Sequence, residues 1–393
     1  RDVERSRGLG DVYKRQLQYV IAHEGFDGGV MITASHNPPE YNGIKVIDSD
    51  GIEVPREKEE VIEEYFFEKK FRRVPWRSLV HEATPYPYVN DIYVKAVLSH
   101  ADKELIRSRG FKVVVDAANS VGALTSPRIA RELGVKVISI NASIDPLFPG
   151  RLPEPTIETL SETAKIVSNI SADFGIAHDG DADRAIVIDD KGRVQWGDRT
   201  ATILARYLAD KHSDLPRRVF TAVSSSIIIE DVLKPMGIEV VWLKVGSIGI
   251  SRALASQGGI CGFEENGGFM YPLHHPVRDG GITLVLLLQM LAEYKCELSE
   301  LFDELPQYYA LKTKIPMPRE VALTVVERVK EYFKNYRQVT IDGVKVIGRD
   351  FWILVRPSGT EPLLRIMIEA KDVEKANELL GIVKNLVKEV VPR

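Results

Sequence analysis

The sequence predicts an α/β protein: consecutive α/β domains with mixed sheets, followed by a small α+β domain at the C-terminus. Three observations carry this prediction. The chain has 393 residues, enough for several domains. From about residue 88 to about residue 294, short β-branched runs alternate with stretches of helical period, the pattern of strand–helix layers. Beyond Lys312 the order changes to a strand, a helix, a hairpin turned at Asp342-Gly343, two further strands and a closing helix. The apolar share of 44% and the charged share of 27% are those of an ordinary globular protein. A net charge of −4 gives no general affinity for polyanions, which argues against nucleic acid as a partner and leaves phosphate binding to local loops. Two cysteines, Cys261 and Cys296, argue against a disulfide framework and fit a reducing cytoplasm. No apolar run reaches the roughly 18 residues of a membrane span, so no membrane partner is expected, and Ile282 to Leu288 reads as a core helix.

In chain order, Arg1 to Arg15 is charged, aperiodic and without an initiator Met, and residues 1–16 are set apart as foreign sequence. Leu17 to His23 reads as the tail of a helix. Val30-Met31-Ile32 reads as a strand that delivers Thr33-Ala34-Ser35-His36-Asn37-Pro38 to a loop, and Pro38-Pro39 bar that loop from becoming a helix. Ile44 to Ile47 is a second strand and Asp50-Gly51 a turn. Pro55 to Arg73 is a charge-dense helix with Val61, Ile62, Tyr65, Phe66 and Phe71 as candidate buried residues and no assigned function. Next come a helix from Tyr88 to Ser99, a buried strand from Lys112 to Asp116, and Ser126-Pro127 as cap and first turn of another helix. A strand from Val135 to Ile140, a Pro-rich loop from Pro146 to Pro155, and a helix to Asn169 complete this layer. The following domain repeats the alternation, with strands Val219 to Val223, Val240 to Leu243 and Gly259 to Gly262. Its helices are Arg199 to Leu208, Ser226 to Met236, Gly249 to Ser256 and Gly281 to Tyr294.

Four loops carry chemistry. In the first, a hydroxyl on a stiff turn (Ser35), with His36 beside it and Lys45 further on, makes a candidate phosphoryl carrier; a strand-end turn that merely contains Ser and His is the alternative. The second is His178-Asp179-Gly180-Asp181-Ala182-Asp183-Arg184, between two strands. Three carboxylates at alternate positions suit a hard divalent cation such as Mg²⁺. An EF-hand beginning at Asp179 is rejected, because Arg184 and Asp190 stand where Gly and Glu are required. An aspartyl-phosphate phosphatase motif stays open. Third, Gly262-Phe263-Glu264-Glu265-Asn266-Gly267-Gly268 offers carboxylates and an amide to sugar hydroxyls. The fourth, Arg356-Pro357-Ser358-Gly359-Thr360-Glu361-Pro362, with Arg365 beyond it, offers a cradle for a phosphate dianion.

Together these motifs resemble the α-D-phosphohexomutase family: phosphoglucomutases, phosphomannomutases and phosphoglucosamine mutases. Thr-Ala-Ser-His-Asn-Pro followed by Asn-Gly-x-Lys is similar to its phosphoserine loop, and the other three loops recur in family order. The resemblance implies interconversion of hexose 1-phosphate and hexose 6-phosphate (glucose, mannose or glucosamine) through phosphoserine at Ser35 and a hexose 1,6-bisphosphate intermediate and activator. It assigns Mg²⁺ to Ser35, Asp179, Asp181 and Asp183, contact with the transferring phosphoryl group to Arg184, and the general base to Lys45. His36 is expected to hydrogen-bond phosphoryl oxygens. Substrate recognition on the sugar side falls to Glu264, Asn266 and Arg278, the last in Arg278-Asp279-Gly280, which follows as in archaeal relatives. The phosphate not being transferred falls to Arg356, Ser358, Gly359, Thr360 and Arg365. Ser247, where the family often has His or Asp, inherits no acid/base role, and Phe263 stands where relatives usually have Gly. The resemblance divides the chain into a truncated first domain (1–86), a metal-loop domain (87–192), a sugar-loop domain (193–311) and a phosphate-loop domain (312–393). Truncation raises two alternatives: an inactive fragment or pseudoenzyme that binds sugar phosphate, and a Mg²⁺-dependent sugar-phosphate phosphatase.

Overall fold

The structure, a computed structural model, describes residues 14–35, 37, 40–70, 72–78, 84–359 and 361–390. It divides into two compact units, one of residues 1–195 with 268–298, the other of 196–267 with 299–393.

The first unit begins with α1 (Lys14–Glu24), which buries Val20 and Ile21 and also Lys14, Arg15 and Gln16. These last three, set apart in the sequence reading, form the first turn of this helix and are continuous with the fold. An antiparallel hairpin follows, β1 (Gly28–Ile32) with β2 (Ile44–Asp48). The next helix, α2 (Arg56–Phe67), is shorter than the predicted Pro55 to Arg73 and differs in packing. Val61, Ile62, Tyr65 and Phe66 are exposed, Val61 and Ile62 facing an open groove beside the β1–β2 hairpin rather than a closed contact; Phe71 lies outside the described residues.

Then come α3 (Val89–Leu98), α4 (Lys103–Arg109), β3 (Lys112–Asp116), α5 (Gly122–Glu132), β4 (Lys136–Ile140), α6 (Ser161–Asn169), β5 (Phe174–His178), β6 (Ala185–Asp189) and β7 (Val194–Gln195). Their sheet has the order β4-β3-β5-β6-β7, parallel around β3 and antiparallel from β5 onward. The β3 run of three valines has no polar alternation because it is central, with helices to cover it. Helix α5 corrects the sequence reading. It starts at Gly122, where Ala123 N and Leu124 N already bond back to Ser120 O and Val121 O, and it runs through Pro127. The missing Pro N–H leaves the Ala123 carbonyl without a helical donor, a cost the buried face of the helix offsets.

The second unit opens with α7 (Gly197–Lys211), β8 (Arg218–Ala222), α8 (Ile228–Leu233), β9 (Glu239–Leu243), α9 (Ser247–Gln257) and β10 (Cys261–Phe263), with β10, β8 and β9 parallel. The chain then returns to the first unit as the short hairpin β11 (Phe269–Tyr271) and β12 (His275–Arg278) and the buried helix α10 (Gly280–Tyr294), capped by Asp279 through Gly281 N and Ile282 N.

The second unit ends as a five-stranded antiparallel sheet, β13 (Tyr309–Pro316), β14 (Arg337–Val339), β15 (Val344–Ile347), β16 (Phe351–Pro357) and β17 (Leu363–Ala370), in the order β13-β17-β16-β15-β14. Two helices, α11 (Arg319–Tyr332) and α12 (Val373–Val390), cover one face. Ile353, Ile366 and Ile368 meet Val325, Val329 and Val383 there, all buried. Ile353→Ala is expected to destabilise this end of the chain by about 2–5 kcal/mol, read as a fall in the urea midpoint at unchanged slope.

Candidate active site

In the first unit, Thr33 N still bonds Gly43 O at 2.9 Å, so the serine loop leaves the β1–β2 hairpin through a closed neck. Ser35 adopts a left-handed backbone with φ 55°. For a residue bearing Cβ that costs about 1–2 kcal/mol. The turn is held by Thr33 Oγ1, which accepts from Ser35 N at 2.9 Å, and by Asn37 N on Ala34 O at 3.1 Å. The result aims Ser35 Oγ at Asp181 Oδ1 (3.0 Å) and Asp179 Oδ2 (3.4 Å). Gly180 permits this approach, since a Cβ there would lie 2.1 Å from Ser35 O.

The carboxylates stand at a hairpin end, because β5 and β6 pair with His178 opposite Ala185. Asp179, Asp181 and Asp183 are buried, and one oxygen of each lies within 4.8 Å of the others. Asp181 Oδ2 and Asp183 Oδ1 are buried with no hydrogen-bond donor, as befits oxygens left for a cation. This donor set, all hard oxygen and crowded, fits a divalent metal. Burial, with the neighbouring Asp181 and Asp183 charges, pushes Asp179 well above the ordinary carboxyl range. For Asp183 the burial penalty is outweighed by Arg278, Lys14 and Lys45, which hold it well below that range.

Cations ring the cluster. Arg278 Nη2 and Lys14 Nζ each lie 2.7 Å from Asp183 Oδ2. Lys45 Nζ lies 3.5 Å from Asp181 Oδ2 and 4.0 Å from Glu53 Oε1. Its pKa is lowered, by burial first and then by the Lys14 charge, against the pull of the nearby carboxylates. Arg184 donates through Nη1 to both oxygens of Glu154 at 3.0 and 2.9 Å, and its backbone N donates to Asp179 Oδ1 at 3.1 Å. His178 is buried with Nδ1 3.0 Å from Arg184 O; burial lowers its pKa to about 4, so it braces the hairpin as a neutral ring.

The second unit holds the other two loops. Glu264 is buried and accepts from Gly246 N at 3.2 Å, Glu265 accepts from Ser224 Oγ at 2.7 Å, and Asn266 is half-buried. In the phosphate loop, Ser358 N is fixed by Leu363 O at 2.8 Å, while Gly359 is exposed. Arg356 and Arg365 are direct cross-strand partners on β16 and β17. Like charges so placed repel, which an anion between them would relieve. Arg365 is partly balanced by Glu361 at 3.0 Å.

The structure thus gathers Ser35, Lys45, Arg184, Arg278 and the three aspartates in one unit, and Glu264, Asn266, Arg356, Ser358, Gly359 and Arg365 in the other. Arg278, expected from the resemblance to bind substrate, donates to Asp183. His36 and Thr360 lie outside the described residues. Glu53, Glu154 and Lys14 were not singled out by sequence, since each acquires its meaning only from a partner distant in the chain. A lone Glu inside the Pro-rich loop was the one available signal, for Glu154.

Comparison with known proteins identifies the family. Four family models match in order: phosphoglucomutase/phosphomannomutase alpha/beta/alpha domain I over residues 14–73, domain II over 91–192, domain III over 196–309 and the C-terminal domain over 313–385. The chain is 50% identical over 374 residues to a phosphoglucosamine/phosphogalactosamine mutase of Sulfurisphaera tokodaii, covering 94% of this chain and 82% of that protein. It is 41% identical over 378 residues to a phosphoglucomutase/phosphomannomutase of Thermococcus kodakarensis, covering 95% and 82%. A crystal structure of a phosphoglucomutase/phosphomannomutase family protein from Burkholderia thailandensis shares the fold, with a TM-score of 0.82 at 23% identity over 93% of this chain and 77% of that one. None of the described helices is long and apolar enough to cross a membrane. With its four domain models in order and a relative half identical over most of both lengths, the chain belongs to the phosphoglucomutase/phosphomannomutase family and is a hexose-phosphate mutase, an intramolecular phosphotransferase.

Proposed function

We propose that the chain interconverts hexose 1- and 6-phosphates through phosphoserine at Ser35 and a hexose 1,6-bisphosphate, with amino-sugar phosphates its preferred substrates. The observation that carries the serine role is Ser35 Oγ resting 3.0 Å from Asp181 inside the carboxylate cluster. Asp179, Asp181 and Asp183 would hold Mg²⁺, which supplies charge compensation for phosphoryl oxygens. Arg184, fixed by Glu154, presents its guanidinium beside the same cluster. Lys45 is the candidate base for the attacking sugar hydroxyl: it lies beside the cluster, and burial with the Lys14 charge lowers its pKa in the direction that role requires. Arg356, Ser358, Gly359 and Arg365 bind the phosphate that is not transferred, and Glu264 with Asn266 reads sugar hydroxyls. The amino-sugar preference rests on the phosphoglucosamine/phosphogalactosamine mutase at 50% identity.

The substrate test offers glucosamine, glucose and mannose 1-phosphates in parallel, with Mg²⁺ and a trace of the matching bisphosphate. Glucosamine 1-phosphate should show the highest kcat/KM; a higher value for glucose or mannose would reject the preference. Arg356→Ala should raise KM for hexose phosphate roughly 10- to 100-fold, the loss of a charge-assisted pair. Phosphorylation of Ser35 by acetyl phosphate should change little in that variant. Equal losses in both would argue against a distal phosphate site at Arg356.

A further inference from the structure

Asp342-Gly343 reads from sequence as a hairpin turn and nothing more. The register of the sheet gives the turn a neighbour. β15 pairs with β16 so that Val344 faces Val355, and the residues just before Val344 therefore fall against Arg356. Gly343 has φ 73°, and a Cβ on it would lie 2.3 Å from Val355 O and 2.7 Å from Arg356 Cα. The turn rests directly on the backbone of the phosphate-loop arginine.

Asp342 uses one oxygen, Oδ2, for two partners, an ion pair and a backbone donor. Arg356 Nη2 lies 3.0 Å away and Val245 N donates from 3.2 Å. The adjacent amide, Gly246 N, donates to Glu264 Oε1 at 3.2 Å. Three segments distant in sequence are thereby joined: the phosphate loop at Arg356, the loop before α9 at Val245-Gly246, and the sugar loop at Glu264. Side-chain exposures of 14% for Arg356 and 18% for Asp342 place the ion pair out of bulk water, where such a pair orients a side chain more firmly than on an open surface. Asp342 does not saturate the arginine. A guanidinium carries five N–H donors, and Arg356 Nε is buried without a partner. The pair therefore aims Arg356 while leaving it donors for an anion.

We propose that Asp342 is a positioning residue that makes recognition of the distal phosphate and recognition of the sugar interdependent. A ligand that draws on Arg356 bears on Asp342, hence on the Val245-Gly246 amides and on the orientation of Glu264. The relay favours a ligand carrying phosphate and pyranose together over phosphate alone. It rests on the reading that Arg356 binds phosphate and Glu264 binds sugar.

The test compares the full chain with Asp342→Asn, Glu264→Gln, the double variant and Arg356→Ala. Each is assayed for KM and kcat with glucosamine 1-phosphate and for competitive inhibition by inorganic phosphate. Asn keeps an acceptor for Val245 N but removes the charge that aims Arg356. Asp342→Asn should raise KM about five- to tenfold, with inhibition by inorganic phosphate weakened by no more than about twofold. The double variant should be scarcely worse than the worse single variant, because the relay is broken once. Asp342→Glu, which restores the charge, should recover part of the loss. Parental KM in Asp342→Asn, or single effects that multiply in the double variant, would overturn the proposal. Equal weakening of hexose phosphate and inorganic phosphate would also overturn it, since Asp342 would then serve Arg356 alone. Unchanged phosphate inhibition in Arg356→Ala would instead reject the underlying phosphate-loop reading, so the two failures are distinguishable.

Discussion

Ser35→Ala is expected to lower mutase turnover by roughly 10⁴-fold or more, the scale on which removal of an obligatory nucleophile is felt. The Ser35 hydroxyl is held by a strained turn against two buried carboxylates, and Gly180 closes on the Ser35 carbonyl so that nothing larger fits between. The substitution removes one oxygen and leaves Cβ in place, so the fold should persist and alanine should relieve none of the left-handed backbone. Far-UV circular dichroism and the melting temperature should match the parent within a few degrees. Near-parental turnover in a folded variant would remove Ser35 from the reaction.

Asp181→Asn is the second large effect. Asp181 faces Ser35 Oγ through one oxygen and Lys45 Nζ through the other, so it is the carboxylate most directly between candidate nucleophile and candidate base. Asparagine is the same size but carries an N–H₂ that repels a cation. Activity should fall by more than the roughly 10- to 100-fold typical of groups that only support a metal ligand. The Mg²⁺ concentration giving half-maximal residual activity should rise in parallel. Titration of activity against Mg²⁺ checks this; residual activity that still saturates at the parental Mg²⁺ concentration would place the metal elsewhere.

What could be read from the sequence follows from how local each signal is. The aspartate loop was legible because alternate carboxylates after a buried strand have few other uses, and the hairpin geometry of β5 and β6 is itself local. The loop from Arg356 to Pro362 stands out for the same reason, an arginine, hydroxyl and glycine within a few residues, and its phosphate role is a proposal. Contacts made across the fold were not legible. Glu154 earns its place by clasping Arg184, and Asp342 by facing Arg356 across a strand register; the Pro-rich loop around Glu154 hints at its role only weakly, and no neighbour of Asp342 announces its role. Periodicity also misled where it met no partner. Val61, Ile62, Tyr65 and Phe66 have helical spacing on α2, yet burial needs a closed opposing surface, and the β1–β2 hairpin leaves an open groove against Val61 and Ile62. Pro127 is the converse: a residue that usually opens a helix sits inside α5, where tertiary packing outweighs one lost backbone bond.

On the proposed mechanism Ser35 carries the phosphoryl group between two positions of one sugar. The most direct measurement incubates the chain with Mg²⁺ and hexose 1,6-bisphosphate labelled in its phosphates, locates the label by peptide mass spectrometry, and then chases with unlabelled hexose 1-phosphate. The account predicts label on Ser35 alone, leaving in the chase as hexose bisphosphate and hexose monophosphate with no inorganic phosphate. Label on another residue, or its release as inorganic phosphate, would contradict it.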